Sequence, residues 1–108
     1  MSYETAAQQW RDGERRLNDA ADGQALLLGT IVDRIYLELR RRLGGVFYAQ
    51  ELVDLYESGT AWAQDIAYAT APEDPWAWDA RVVVDAAFAR YLRQATDYAG
   101  GRLIIPDA

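Results

Sequence analysis

The chain is 108 residues long, enough for one domain with a core of its own, and it contains no histidine, cysteine or lysine. That composition excludes imidazole bases, thiolate nucleophiles, Schiff-base lysines, disulfides and every soft or imidazole metal ligand. The net charge of −6 is uneven: residues 2–43 balance seven acids against seven arginines, residues 44–79 hold seven acids and no base, and residues 80–108 come to +1.

The first predicted element is an amphipathic helix from about Tyr3 to Ala20, with Ser2 or Thr5 as cap. Tyr3, Ala6, Ala7, Trp10, Leu17 and Ala20 recur at three- and four-residue spacing and share a face. Gly13 interrupts this helix at a cost of about 1 kcal/mol relative to Ala, and it lies three residues past Trp10. A glycine there predicts the close approach of a neighbouring helix.

A break at Ala21-Asp22-Gly23 precedes the strongest helix, about Gln24 to Leu43, striped by Leu28, Ile31, Val32, Ile35, Leu39 and Leu43. Arg40-Arg41-Arg42 complement its C-terminal dipole, and Gly44-Gly45 end it. The short link predicts that these two helices form an antiparallel hairpin. A third helix is predicted over Ala49 to Glu57, with Leu52, Val53 and Tyr56 inward. Tyr48 is a poor N-cap, so the Glu51 three residues later makes only a weak capping box.

Ser58-Gly59-Thr60 breaks the chain before a short helix, about Ala61 to Tyr68, with Trp62 and Ile66 four apart. Ala71-Pro72-Glu73-Asp74-Pro75 is a second break, in which Asp74 is the expected N-cap and Pro75 the first helical position. The last helix is expected from Trp76 to about Ala99, closed by Gly100-Gly101, with a core face of Ala80, Val83, Val84, Ala87, Phe88, Tyr91, Ala95 and Tyr98. The apolar tail Leu103-Ile104-Ile105 is the one segment with strand-like character, and it is expected to fold back onto the bundle. The architecture read from these elements is all-α: a single domain over residues 1–108, a compact antiparallel bundle of four to five helices around the last one.

Three constellations bear on function. Glu51, Asp54 and Glu57 share a helical face and are the right residue type for a divalent cation, but no facing acidic motif accompanies them, so they read as a solvated surface. Arg15 and Arg16 come near Arg40, Arg41 and Arg42 if the first two helices pair antiparallel, which would make a phosphate contact. A pI near 4.5 argues against a polyanionic partner. In the turn Pro72 to Asp79, Trp76 lines up with Ala80, Val83 and Ala87, whereas Trp78 lines up with the mixed face of Val82, Asp85 and Ala89. Trp78 is therefore the ring expected at the surface. It heads a set of candidate partner-binding residues with Trp62, Glu73, Asp74 and Asp79.

The stretch Pro75 to Leu92, with Leu43-Gly44-Gly45 and Glu51 to Tyr56, resembles small helical proteins of high-GC Gram-positive bacteria. The resemblance covers most of the chain and implies a short, all-helical cytoplasmic protein. It carries over no active residue.

The expectation is a non-enzymatic protein-interaction module with an acidic, aromatic surface over residues 44–79, docking a basic protein or a second copy of itself. A nucleic-acid-associated regulator using the arginines is the alternative, and a small-molecule-binding bundle with carboxylate and tyrosine chemistry ranks below it. No catalytic, cofactor or metal residue is expected. The N-terminal residues lack an apolar signal region and no apolar run reaches membrane-spanning length, which leads to the expectation of a cytoplasmic, membrane-free protein.

Overall fold

A computed structural model describes residues 1–20, 25–71 and 79–106. Among them five helices form: α1 (Tyr3–Ala20), α2 (Ala25–Leu43), α3 (Ala49–Glu57), α4 (Ala61–Thr70) and α5 (Ala80–Gln94). The fold is an all-α bundle with α5 at its centre, packed against α1, α2 and α4. The sequence of α5 explains that position. Ala80, Val83, Val84, Ala86, Ala87, Phe88, Ala89 and Tyr91 are all buried, so the helix is apolar round most of its circumference. Its alanines let neighbours approach closely, and its two large rings fill the gaps between them.

Phe88 anchors an aromatic cluster. Its ring lies 5.2 Å from Trp10 of α1, 5.1 Å from Tyr56 of α3 and 6.5 Å from Trp62 of α4. Trp10 is fully buried and meets Tyr56 edge-on at 5.5 Å. One ring on the central helix thus ties three outer helices together.

The first two helices do not pair along their length as the expected hairpin. Helix α1 runs antiparallel to α5 instead: Arg16 lies opposite Arg81 and Val82, Trp10 meets Phe88, and Tyr3 and Ala7 reach Leu92. Helix α2 runs parallel to α5, with Asp33 paired to Arg90 and Tyr36 bonded to Gln94. Gly13 is the reason α1 prefers α5. A Cβ there would stand 2.4 Å from the Asp85 Cβ, so the Asp85 side chain sits against the α1 backbone where a side chain is missing. The predicted close approach is present, and Asp85 makes it.

The last helix is shorter than expected at both ends. Asp79 is extended (φ −90°, ψ 122°) and its carboxylate accepts the Arg81 N–H at 2.8 Å, so Asp79 is the N-cap of α5. The expected cap at Asp74 and the expected start at Trp76 lie outside the described residues. At the other end Ala95 is extended and the chain enters a small antiparallel sheet of β1 (Val46–Phe47), β2 (Thr96–Asp97) and β3 (Leu103–Ile104), in the order β1-β3-β2. Gly100 and Gly101, with φ of 64° and 79°, turn β2 back into β3 rather than ending a helix. Tyr98, expected in the core, is 56% exposed as a result. The apolar tail does fold back: Ile105 is buried and its N–H reaches the Gly45 carbonyl at 2.8 Å.

Candidate functional site

Four acids of the acidic third lie on the outer surface of α3 and α4. Glu51, Asp54, Glu57 and Asp65 are all exposed, as is Asp79 at the head of α5. Several do local work: the Glu51 carboxylate accepts the Tyr48 N–H at 2.9 Å, and Asp54 accepts from Gln50 at 2.9 Å. Glu51 therefore caps α3 without help from the Tyr48 hydroxyl, which is the half of a capping box that tyrosine permits.

Of the residues expected to contact a partner, Glu73, Asp74 and Trp78 lie outside the described residues. The expected contrast between Trp76 and Trp78 falls there as well. Trp62 is not an open surface ring. One face packs toward Phe88 and the Arg42 guanidinium covers it at 4.4 Å from the ring centre. Its indole N–H is buried without a hydrogen-bond partner.

The five arginines do not gather into one patch. Arg15 pairs with Asp12 at 2.8 Å, and Arg16 lines a cleft shared with the first residues of α5. Arg41 and Arg42 share Glu38, and the hydrogen bond from Arg41 holds that carboxyl below its ordinary range. Arg40 sits toward the opposite end of α5, close enough for its charge to act on Tyr91. Because α2 runs parallel to α5 and α1 antiparallel, the two groups are separated by the length of the central helix, about 20 Å for its 15 residues.

The most developed polar constellation is one the sequence reading missed. A cleft of about 760 Å³ opens between α1 and the first half of α5. Beside it, Gln9 Nε2 donates to the Tyr56 hydroxyl at 2.6 Å, and that hydroxyl donates to Asp85 Oδ1 at 2.7 Å. Three helices are thereby joined through polar atoms in a partly buried layer. Burial pushes the Asp85 carboxyl up, against the lowering effects of the Tyr56 and Gln9 hydrogen bonds and the Arg81 charge. Burial, then the hydrogen bond to Asp85, pushes the Tyr56 hydroxyl up as well.

Compared with family models, curated proteins and solved structures, the chain matches none of them. Its chemistry therefore rests on its own geometry. Among the described residues no group of three or more acids is placed to hold a metal ion, and no helix is long and apolar enough to cross a membrane. The Tyr56–Asp85 pair is a hydrogen bond between a raised phenol and a raised carboxyl that ties α3 to α5. Tyr56 was legible only as a core residue of α3, because its hydroxyl partners come from helices 47 and 29 positions away.

Proposed function

We propose that the protein is a non-enzymatic interaction module that docks a partner of basic surface on the acidic side formed by α3 and α4. The supporting observation is the segregation of charge. Four acids outside this region are matched by arginines, Asp12 with Arg15, Glu14 with Arg93, Asp33 with Arg90, and Glu38 with Arg41 and Arg42, while Glu4, Asp19 and Asp97 lie scattered at other exposed positions. Glu51, Asp54, Asp65 and Asp79 are exposed and enter no ion pair among the described residues. The excess negative charge of the chain therefore faces solvent over two adjoining helices, which raises the rate of encounter with a basic surface.

Self-association through this side would set two acidic faces against each other, so a different, basic chain is the better occupant. A nucleic-acid partner has less support, since its arginine contact is split between the two ends of α5. The test is affinity capture from the cytoplasm of the source cell, using the wild type and a Glu51→Gln/Asp54→Asn/Asp65→Asn variant. Proteins of basic pI that the wild type retains and the variant loses are the expected result. Identical capture by both would end the proposal.

A further inference from the structure

The small sheet is apolar on both of its faces. In its register Val46, Ile104 and Thr96 form one row across the strands, and Phe47, Leu103 and Asp97 form the next. Directly opposite residues share a face, and successive residues alternate. Phe47 is buried, as is Ile105 two residues beyond Leu103, so the second row marks the inner face, with Asp97 at its open edge. Val46, Ile104 and Thr96 therefore point away from the core. The alternation continues for one more step. Tyr48 is extended (φ −88°, ψ 145°), and the Tyr98 N–H bonds the Arg102 carbonyl at 2.9 Å. A second outward row follows, with Arg102 of the central strand between Tyr48 and Tyr98.

The solvent side of an antiparallel sheet is ordinarily polar. Here Val46 is 40% exposed, Tyr48 48% and Tyr98 56%, and Arg102 is the only charged side chain in either outward row. That guanidinium is held in place. Its Nε donates to the Ala99 carbonyl at 3.0 Å, and its carbon lies 5.3 Å from the Tyr98 ring centre. The two terminal nitrogens have no hydrogen-bond partner among the described residues.

Size and charge decide what fits this face. Two half-exposed tyrosines and four smaller contributors present on the order of 500 Å², short of the about 800 Å² per partner of a stable dimer. The net charge of −6 also opposes pairing with a second copy. The fixed guanidinium calls for one carboxylate and no more, because Glu51, which accepts the Tyr48 N–H at the margin, and Asp97 at the edge repel a polyanion. Around Arg102 the face offers rings and branched aliphatic groups, which cannot accept the N–H groups of a peptide laid on them. Proline has no N–H, and its ring keeps a chain extended.

We propose that the outer face of this sheet docks a short, extended, proline-rich segment of another protein that carries a single carboxylate. The carboxylate meets Arg102, and the flanking proline rings lie against Tyr48 and Tyr98. The inference does not rest on the basic partner of α3 and α4, since its one ion pair has the opposite sign.

The test is an amide-resolved NMR titration of the full chain with the end-capped pentapeptide Pro-Pro-Asp-Pro-Pro. Saturable shifts centred on Val46, Tyr48, Tyr98, Arg102 and Ile104, with a Kd below about 1 mM, are the expected result. Asn or Lys in place of the peptide's Asp, or Gly in place of its prolines, should weaken binding at least about tenfold. Arg102→Gln and Tyr98→Ala, both at exposed positions, should keep the helical spectrum and weaken it to a similar degree. The peptide series on the wild type decides the matter even if a variant does not fold. Absence of saturable shifts at these amides overturns the proposal, as does equal binding of the Asn or Lys peptide. Unchanged affinity in both protein variants does the same. Tighter binding of a uridine oligonucleotide would make the face a base-stacking platform, and shifts that follow protein concentration alone would show a second copy covering it; either result also overturns the proposal.

Discussion

Gly13 and Asp85 show how far single residues set the packing of this bundle. Replacing a helical glycine by alanine ordinarily stabilises a helix by about 1 kcal/mol. At position 13 the new methyl would stand 2.4 Å from the Asp85 Cβ, so α1 and α5 must separate. Overpacking of that kind costs about 1–3 kcal/mol, and Gly13→Ala is expected to be a net loss in urea unfolding. Asp85→Ala keeps the offending Cβ and should not rescue it. If Gly13→Ala stabilised the protein, the contact would be looser than drawn. Asp85 also gives a pH test. Its carboxyl is raised in the folded state by burial, so its contribution is fully present below the unfolded value of about 4 and is lost as pH rises through the folded value. The stability of the wild type relative to Asp85→Asn should therefore decline as pH climbs above about 4. A difference that stays flat, or grows, contradicts the burial.

At the scale of elements, α1 and α3 begin and end where their sequences predict, because Tyr3, Trp10 and Leu17, or Leu52 and Val53, mark faces that local spacing reveals. The ends of α5 were not legible in that way. Ala95 and Tyr98 continue the apolar spacing of the helix, and Gly100-Gly101 reads equally well as a helix stop or a hairpin turn. The deciding interaction is pairing of Leu103 and Ile104 with Val46 and Phe47, more than fifty residues away, which no local pattern contains. Tyr91 helps to hold that sheet in place: its hydroxyl donates to the Gly44 carbonyl at 2.7 Å, at the turn from α2 into β1. Tyr91→Phe leaves that carbonyl without its donor and should cost about 1–2 kcal/mol. Burial pushes the Tyr91 hydroxyl up to about 12, so its contribution is complete below about pH 10 and is lost as pH rises to about 12. Alkaline unfolding curves should show that loss in the wild type, and Tyr91→Phe should remove the share belonging to this ring. An unchanged alkaline slope in the variant would place the titration elsewhere.

For the whole molecule, the decisive property is where the charge of −6 resides. Composition alone located it, since residues 44–79 contain no base, and the fold displays it along α3 and α4. Composition did not locate the α1–α5 cleft, because its lining residues come from the two ends of the sequence and meet only through the packing of the first and last helices. Exposed charges more than a Debye length apart, about 8 Å at 0.15 M, are screened from each other, so attraction of a basic partner at a distance is the part that salt removes. With a partner from affinity capture in hand, the association rate should fall by about tenfold or more between low and 0.3 M salt, while the dissociation rate changes little. Glu51→Gln/Asp54→Asn/Asp65→Asn should flatten that dependence without lowering thermal stability appreciably, because none of the three carboxylates is buried or ion-paired among the described residues. Surface plasmon resonance across a salt series measures both rates directly. An association rate indifferent to salt in the wild type would mean that docking occurs away from α3 and α4, and the acidic face would then serve only to keep the molecule hydrated and apart from its copies.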